Sequence, residues 1–157
     1  MRKIIRAVLI VLILGFIVIQ FFQPTPNKGE ITDADILQQH DVPENIGTIL
    51  KESCFDCHSN ITRYPWYDRI SPVSWMVDDH IREGKDELNF SEWGKLDIYD
   101  KITTLEEIAQ ETKRKTMPLK SYKFMHPNAR LSDEQIAAIE KWTTELSEEL
   151  LKNSFSE

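Results

Sequence analysis

Apolar residues recur at helical intervals along most of the chain, and the alternating pattern typical of strands is hard to find. The clearest stripe lies near the C-terminus, at Ile136, Ile139, Trp142, Leu146 and Leu150. Ser132 and Gln135 precede it with the spacing of a capping box, and Leu131 is placed to form a hydrophobic staple with Ile136. The pattern predicts an all-α domain closed by a long final helix.

Three further helix starts are predicted upstream of the final helix. They are at Pro43, at Ser71-Pro72 and at a second capping box of Thr104 with Glu107. The first of these helices would run into Cys54. The second would carry His80 on an otherwise apolar face and end at Gly84, because glycine commonly terminates helices.

The first 23 residues form a separate apolar segment. Residues 7–22 contain one polar side chain, Gln20, and they follow the basic start that includes Arg2 and Arg6. We expect residues 1–23 to be an uncleaved transmembrane anchor, residues 24–40 a linker and residues 41–157 the folded domain. A cleaved signal peptide is the alternative, but no small residues follow the apolar stretch. The basic flank predicts a cytoplasmic N-terminus in a bacterial cytoplasmic membrane, with the domain on the extracytoplasmic, periplasmic side.

The charge of the chain excludes one class of partner. The chain has 26 acidic and 19 basic side chains, a net charge of −7. Nucleic-acid binding needs clustered Lys and Arg to neutralise phosphates, so we expect no nucleic-acid partner. The acidity suits a solvated surface or the steering of a basic partner.

Both cysteines of the chain lie in one pentapeptide, Cys54-Phe55-Asp56-Cys57-His58. Two thiols at this spacing can reach the two vinyl groups of one haem, and the histidine that follows can ligate its iron. The motif therefore predicts one covalent haem c, attached through Cys54 and Cys57 and ligated by His58.

Three other interpretations of the cysteine pair stay open at this point. A redox dithiol of the thioredoxin type would follow a strand, which the pattern lacks. A structural disulfide is permitted outside the cytoplasm but does not explain His58. A zinc site would need two more ligands, and the remaining histidines, at 40, 80 and 126, have no paired spacing.

The chain resembles the haem-binding domain proteins of bacterial envelopes, which are membrane-anchored c-type cytochromes. The resemblance rests on an ordered series of segments: residues 20–24 (QFFQP), 53–67 (SCFDCHSNITRYPWY), 71–75 (SPVSW), His80, 89–93 (NFSEW), 117–122 (MPLKSY), 126–127 (HP) and 129–132 (ARLS). It implies an all-α, cytochrome c-like fold with one haem c, and it implies no defined substrate.

The second axial ligand of the iron is predicted to be Met117. A methionine loop that follows the attachment helix and precedes the closing helix resembles the order of small class I cytochromes c. A Met/His pair raises the reduction potential and favours electron transfer. The competing ligands are Met76, His80, Met125 and His126. Arg63 and Arg69 are candidates to pair with the haem propionates, and aromatic residues between Tyr64 and Trp93 to line the haem.

These features together predict a membrane-tethered electron carrier with redox protein partners in the cell envelope. A haem-based sensor, in which a small ligand displaces a weak sixth ligand, is the alternative. An enzyme with an open iron is less favoured, because no separate acid–base constellation accompanies the motif.

Overall fold

A computed structural model of the chain describes residues 1–155, and the domain it shows is helical. The α-helices are α1 (Arg2–Ile19), α2 (Ile36–Gln39), α3 (Glu44–Ser53), α4 (Phe55–His58), α5 (Val73–Glu87), α6 (Ile98–Lys113), α7 (Lys120–Met125) and α8 (Asp133–Ser154). Short 3-10 turns lie at Trp66–Arg69, Phe90–Lys95 and Pro127–Ala129. The described residues contain no β-strand, only an isolated antiparallel bridge between Lys28 and Ile61. The predicted all-α fold class is confirmed.

The hydrophobic core lies between α3, α6, α8 and the 3-10 turn that carries Trp93. Its buried members are Ile36, Ile46, Ile49, Leu50, Phe90, Trp93, Leu105, Ile108, Ile139, Trp142 and Leu146. α6 and α8 form the most extensive helix pair, and α3 packs on α8. Burying such side chains stabilises the fold by about 1.5–3 kcal/mol each. The core therefore holds α3 rigidly, immediately before the two cysteines.

The local signals for α8 are confirmed in detail. Ser132 Oγ accepts from the backbone N–H of Gln135 at 3.2 Å, and the Gln135 side chain accepts from the Ser132 N–H at 2.9 Å. These reciprocal bonds satisfy backbone donors that the first turn leaves free. The predicted helix after Pro43 is also confirmed, because α3 begins at Glu44 and ends at Ser53.

Two predicted helix boundaries are wrong. α6 begins at Ile98, where Asp97 Oδ1 accepts from the Asp100 N–H, so Thr104 lies inside the helix and its spacing to Glu107 caps nothing. α5 does not end at Gly84 but continues to Glu87. Ser71 does not cap α5; its hydroxyl lies 3.1 Å from that of Ser74.

The predicted transmembrane helix is not found. The apolar segment does form a helix, α1, whose side chains are mostly exposed. Among residues 1–155, however, no helix combines the length and the apolar character needed to cross a membrane. Three of the 18 residues of α1 are basic.

The segment 24–40, expected to be a linker, packs against the domain. Ile36 is completely buried in the core, and Asp35 is buried beside it. The Asn27 side chain donates to the carbonyl of Ser59 at 2.8 Å and to Thr62 Oγ1 at 2.9 Å. Upstream of this segment, the Gln20 side-chain amide donates to the carbonyl of Ser71 and accepts from its N–H, both at 3.0 Å. The N-terminal segment is thereby fastened to the domain next to the cysteine motif.

A half-buried imidazole that accepts a hydrogen bond from a core residue makes the stability of the fold depend on pH. Trp93 Nε1 donates to His40 Nε2 at 2.9 Å, which requires a neutral imidazole. Burial lowers the pKa of His40, and Lys101 lowers it further. In the pH range between this lowered pKa and the unfolded value near 6.5, the unfolded chain binds more protons than the folded one.

We therefore expect the contribution of His40 to stability to be complete above about pH 6.5 and to be lost as the pH falls below that value. Thermal unfolding of the wild type and of His40→Gln should differ by a constant amount from pH 7 to 8. Between pH 6.5 and 5 the wild type should lose a few degrees of Tm relative to the variant. A difference that stays constant over the whole range would contradict this role for His40.

Candidate functional site

One large cavity lies beside the cysteine motif, and the predicted haem residues meet there. Its volume is about 870 Å³, within the roughly 300–1,000 Å³ of small-molecule and cofactor sites. Cys54, Cys57 and His58 line one part of it, and Met117 lines it from the loop between α6 and α7. Residues 59 positions apart in sequence are thus brought to the same space.

The cysteine motif sits on a corner between two helices. Cys54 ends α3 and begins α4, and its carbonyl accepts from the N–H groups of Cys57 at 3.2 Å and His58 at 3.0 Å. This single turn places both thiols and the imidazole along the cavity. Both cysteines are free. Burial raises the pKa of the Cys54 thiol to about 12 and that of Cys57 to about 11. Reactive redox dithiols have lowered pKa values, so these thiols do not fit that class.

One ring nitrogen of His58 forms a hydrogen bond to the backbone, and the other keeps a lone pair that can bind a metal. Nδ1 lies 3.1 Å from the carbonyl oxygen of Leu88. A carbonyl only accepts, so the proton is on Nδ1 and the lone pair is on Nε2. Burial lowers the pKa of His58 despite this hydrogen bond, which favours the neutral ring. A neutral imidazole oriented by a backbone carbonyl is the usual arrangement of a metal-ligating histidine.

α5 packs directly on the motif, and Gly84 makes this approach possible. A Cβ at Gly84 would lie 2.8 Å from the carbonyl oxygen of Cys57 and 3.2 Å from its Cβ. Real Cβ atoms do not come so close to backbone, so a larger residue would push α5 and the motif apart. Gly84 was expected to end the helix. It lies instead inside α5, where the helix packs closely against Cys57.

Gly84→Ala should therefore destabilise the protein and lower the yield of haem-loaded chain. The overpacking costs about 1–3 kcal/mol, from which the roughly 1 kcal/mol gain in helix propensity is subtracted. Gly47→Ala is the matched control, because a Cβ there meets only Leu37 at 3.9 Å. Chemical denaturation of both variants checks this; equal stability for the two alanine variants would contradict the packing argument.

The competing axial ligands all line the same cavity, but their surroundings differ. Met76 and Met125 are 48 % and 46 % exposed, and Met117 is more buried than either. His126 donates from Nδ1 to the carbonyl of Tyr122 at 3.1 Å, so its Nε2 accepts from the Tyr67 hydroxyl at 3.0 Å. Its lone pair is thus occupied. The His80 side chain makes no hydrogen bond within residues 1–155.

Asp56, between the two cysteines, organises a polar cluster at the edge of the cavity. Its buried carboxylate accepts from Arg63 Nε at 3.1 Å and from the Tyr122 hydroxyl at 2.6 Å. Burial and this hydrogen bond raise the pKa of Tyr122, so its hydroxyl keeps its proton. The cluster ties α4 to α7 across the cavity. Arg69, by contrast, lies outside the cavity lining, on another surface depression beside Gln23.

Asp68 was not singled out by the sequence, and it is the least satisfied polar group in the described residues. It is 8 % exposed and lines the cavity, and its Oδ1 is buried without a hydrogen-bond partner. Such an atom costs about 1–3 kcal/mol. Burial raises the pKa of Asp68 to about 6, which makes protonation of this carboxyl easy. A bound group with an acidic oxygen would complete its hydrogen bonding.

The cavity therefore fits haem in three respects. Apolar side chains of α5, among them Val73, Val77 and Ile81, form a wall suited to a flat macrocycle. Thiols and a neutral imidazole lie on one side. Arg63 provides a cationic partner for carboxylates, and Asp68 can donate a hydrogen bond to one when it is protonated.

Comparison with known proteins agrees with this geometry. A family model described as a haem-binding domain matches residues 14–145, which include every residue of the cavity. No curated protein and no solved structure matches the chain. The family suggests a protein that binds haem rather than one that transforms a substrate. Because the match covers most of the sequence, the chain belongs to the haem-binding domain family.

Proposed function

We propose that this protein is a mono-haem c-type cytochrome that transfers single electrons. The observation that carries the proposal is the convergence of Cys54, Cys57, His58 and Met117 on one cavity of cofactor size. A disulfide, a redox dithiol or a purely structural histidine would not need all four residues to line the same cavity. We infer that haem is the single cofactor, bound covalently, and that the protein is an electron carrier rather than an enzyme.

In this proposal each residue has a distinct role. Cys54 and Cys57 form thioethers to the haem and so fix its orientation on α4. His58 provides Nε2 to the iron, and the Leu88 carbonyl keeps the ring oriented. Met117 would provide a second ligand to the iron from the loop between α6 and α7. When bound, haem supplies an iron that gains and loses one electron.

The rest of the cavity adjusts the energy of that electron exchange. The apolar side chains of α5 would lower the polarity beside the bound haem, and the polarity around a haem is one determinant of its reduction potential. Asp56 holds Arg63 and Tyr122 at the cavity edge, so this polar part stays fixed whichever redox state is present.

A sensor is the second candidate, and one observation favours it. The Tyr67 hydroxyl, His126 and the unpartnered Asp68 bring polar groups to the cavity, where they could bind a small ligand next to an open iron. The two candidates differ in the strength of the sixth ligand. A tightly held methionine serves electron transfer, and a displaceable ligand serves sensing.

The absorption spectrum of the matured full chain tests the proposal. We expect six-coordinate, low-spin spectra in both redox states, a weak charge-transfer band at the red end of the oxidised spectrum, and no change on adding carbon monoxide to the reduced protein. Rapid carbon monoxide binding would favour the sensor instead.

We further propose that α1 attaches the protein to the bacterial cytoplasmic membrane, with the haem domain on the outer side, among redox partners of the envelope. The support is an apolar helix that has no buried residue and carries Arg2, Lys3 and Arg6 near its start. Separation of membranes from soluble protein, in cells expressing the full chain, tests this. We expect the full chain in the membrane pellet and a variant lacking residues 2–19 in the supernatant; both chains in the supernatant would contradict attachment through α1.

A further inference from the structure

The segment that carries Met117 has an unusual charge for this protein. Between Glu111 and Asp133 the chain has no acidic residue and six basic ones: Lys113, Arg114, Lys115, Lys120, Lys123 and Arg130. The chain as a whole is acidic, with a net charge of −7. The same segment supplies one side of the cavity, from Met117 to His126.

Half of these basic side chains are already paired. Lys113 bonds Glu140 at 2.7 Å, Arg114 bonds Glu111 at 3.4 Å and Lys115 bonds Asp133 at 2.7 Å. The other three, Lys120, Lys123 and Arg130, form no ion pair with any described residue. Lys123 and Arg130 instead donate to the backbone carbonyls of Lys115 and Lys123, at 3.3 and 3.2 Å.

Apolar side chains lie beside these three charges. Phe124 is 77 % exposed and Met125 is 46 % exposed, although both also line the cavity. Lys120 and Phe124 are four positions apart on α7 and therefore share a face. Aromatic residues, Met and Arg are enriched at the centres of protein interfaces. We define the α7 surface as Lys120, Lys123, Phe124, Met125 and Arg130.

We propose that the α7 surface docks an acidic redox protein at the edge of the haem cavity, an inference that rests on the proposed electron-transfer function. Charge complementarity favours an acidic partner, and it would bring that partner to a segment that lines the cavity. The cavity lining on α5 carries Glu83 and Glu87, so charges of both signs surround the cavity and would favour one orientation of the partner. Two copies docked through this surface would bring the same basic side chains against each other, which disfavours self-docking.

Reduced flavodoxin, a small acidic flavoprotein, is a suitable probe. Its binding to the haem-loaded full chain and its rate of electron transfer should be measured separately, from low to high ionic strength. Lys120→Glu/Lys123→Glu should weaken binding and slow transfer by about tenfold or more at low ionic strength, and the effect should vanish at high salt. Lys95→Glu/Lys141→Glu changes the net charge equally at sites paired with Glu92 and Glu145, and it should have little effect.

The outcomes separate the docking proposal from the proposed function. Equal effects of the two double variants, or no effect of either, would overturn the docking surface. If phosphatidylglycerol vesicles bind the wild type but not Lys120→Glu/Lys123→Glu, while flavodoxin distinguishes neither, the surface binds lipid and the proposal is wrong. A further outcome is salt-dependent binding of flavodoxin that needs Lys120 and Lys123, while neither flavodoxin nor the uncharged reductant durohydroquinone reduces the haem. That result would support docking and contradict electron transfer.

Discussion

Cys54→Ser/Cys57→Ser should abolish covalent haem completely. Both thiols line the cavity beside His58, and each is the only group of its side chain that can form a thioether. We expect no haem to migrate with the denatured double variant, whereas each single variant should retain part of the label through its one remaining bond. Haem staining after denaturing electrophoresis measures this.

The control for this experiment is the fold of the double variant. Cys54 packs against the core but is not one of its buried members, and serine has nearly the same volume as cysteine. Far-ultraviolet circular dichroism should therefore still show a helical protein. A folded double variant that carries covalent haem at the wild-type level would contradict the attachment. A helical variant without covalent haem supports it.

Met117→Ala should convert a six-coordinate iron into one with an open or weakly filled position. The reason is that Met117 lines the same cavity as the cysteine motif, from the loop between α6 and α7. A thioether sulfur raises the reduction potential when it replaces stronger donors. We expect loss of the charge-transfer band, gain of carbon monoxide binding, and a potential lowered on the order of 0.1 V, within the roughly 0.8 V that axial ligands span.

Two variants serve as controls for Met117. Met125→Ala removes a methionine from the same segment, at a largely exposed site, and should leave the spectrum unchanged. His80→Ala removes the free imidazole of α5. If His80→Ala rather than Met117→Ala opens the coordination site, then His80 is the ligand and the assignment to Met117 is wrong.

The sequence predicts those parts of the fold whose signals are local. The capping box of Ser132 and Gln135 and the apolar stripe that follows are complete within one helix, and the structure reproduces both. The cysteine motif is equally local, since its three candidate haem-binding residues lie within five positions. Such features need no knowledge of tertiary contacts.

The sequence does not predict what depends on contacts between distant segments. Glycine commonly ends helices, so the sequence places a helix end at Gly84. In the fold Gly84 lies inside α5, and its close packing on Cys57 explains why a glycine is needed there. Asp68 resembles an ordinary surface acid until the fold buries it against the cavity. The partnership of Asp56 with Tyr122 joins residues 66 positions apart. In the sequence, only the position of Asp56 between the two cysteines indicated that this carboxylate has a special role.

The most direct test of the account is the mass of the denatured wild-type chain after expression with a cytochrome maturation system. The account predicts an intact mass equal to the polypeptide plus one haem, together with a haemochrome spectrum that gives one haem per chain. A mass equal to the bare polypeptide, or to the polypeptide less two hydrogens for a Cys54–Cys57 disulfide, would contradict its central claim.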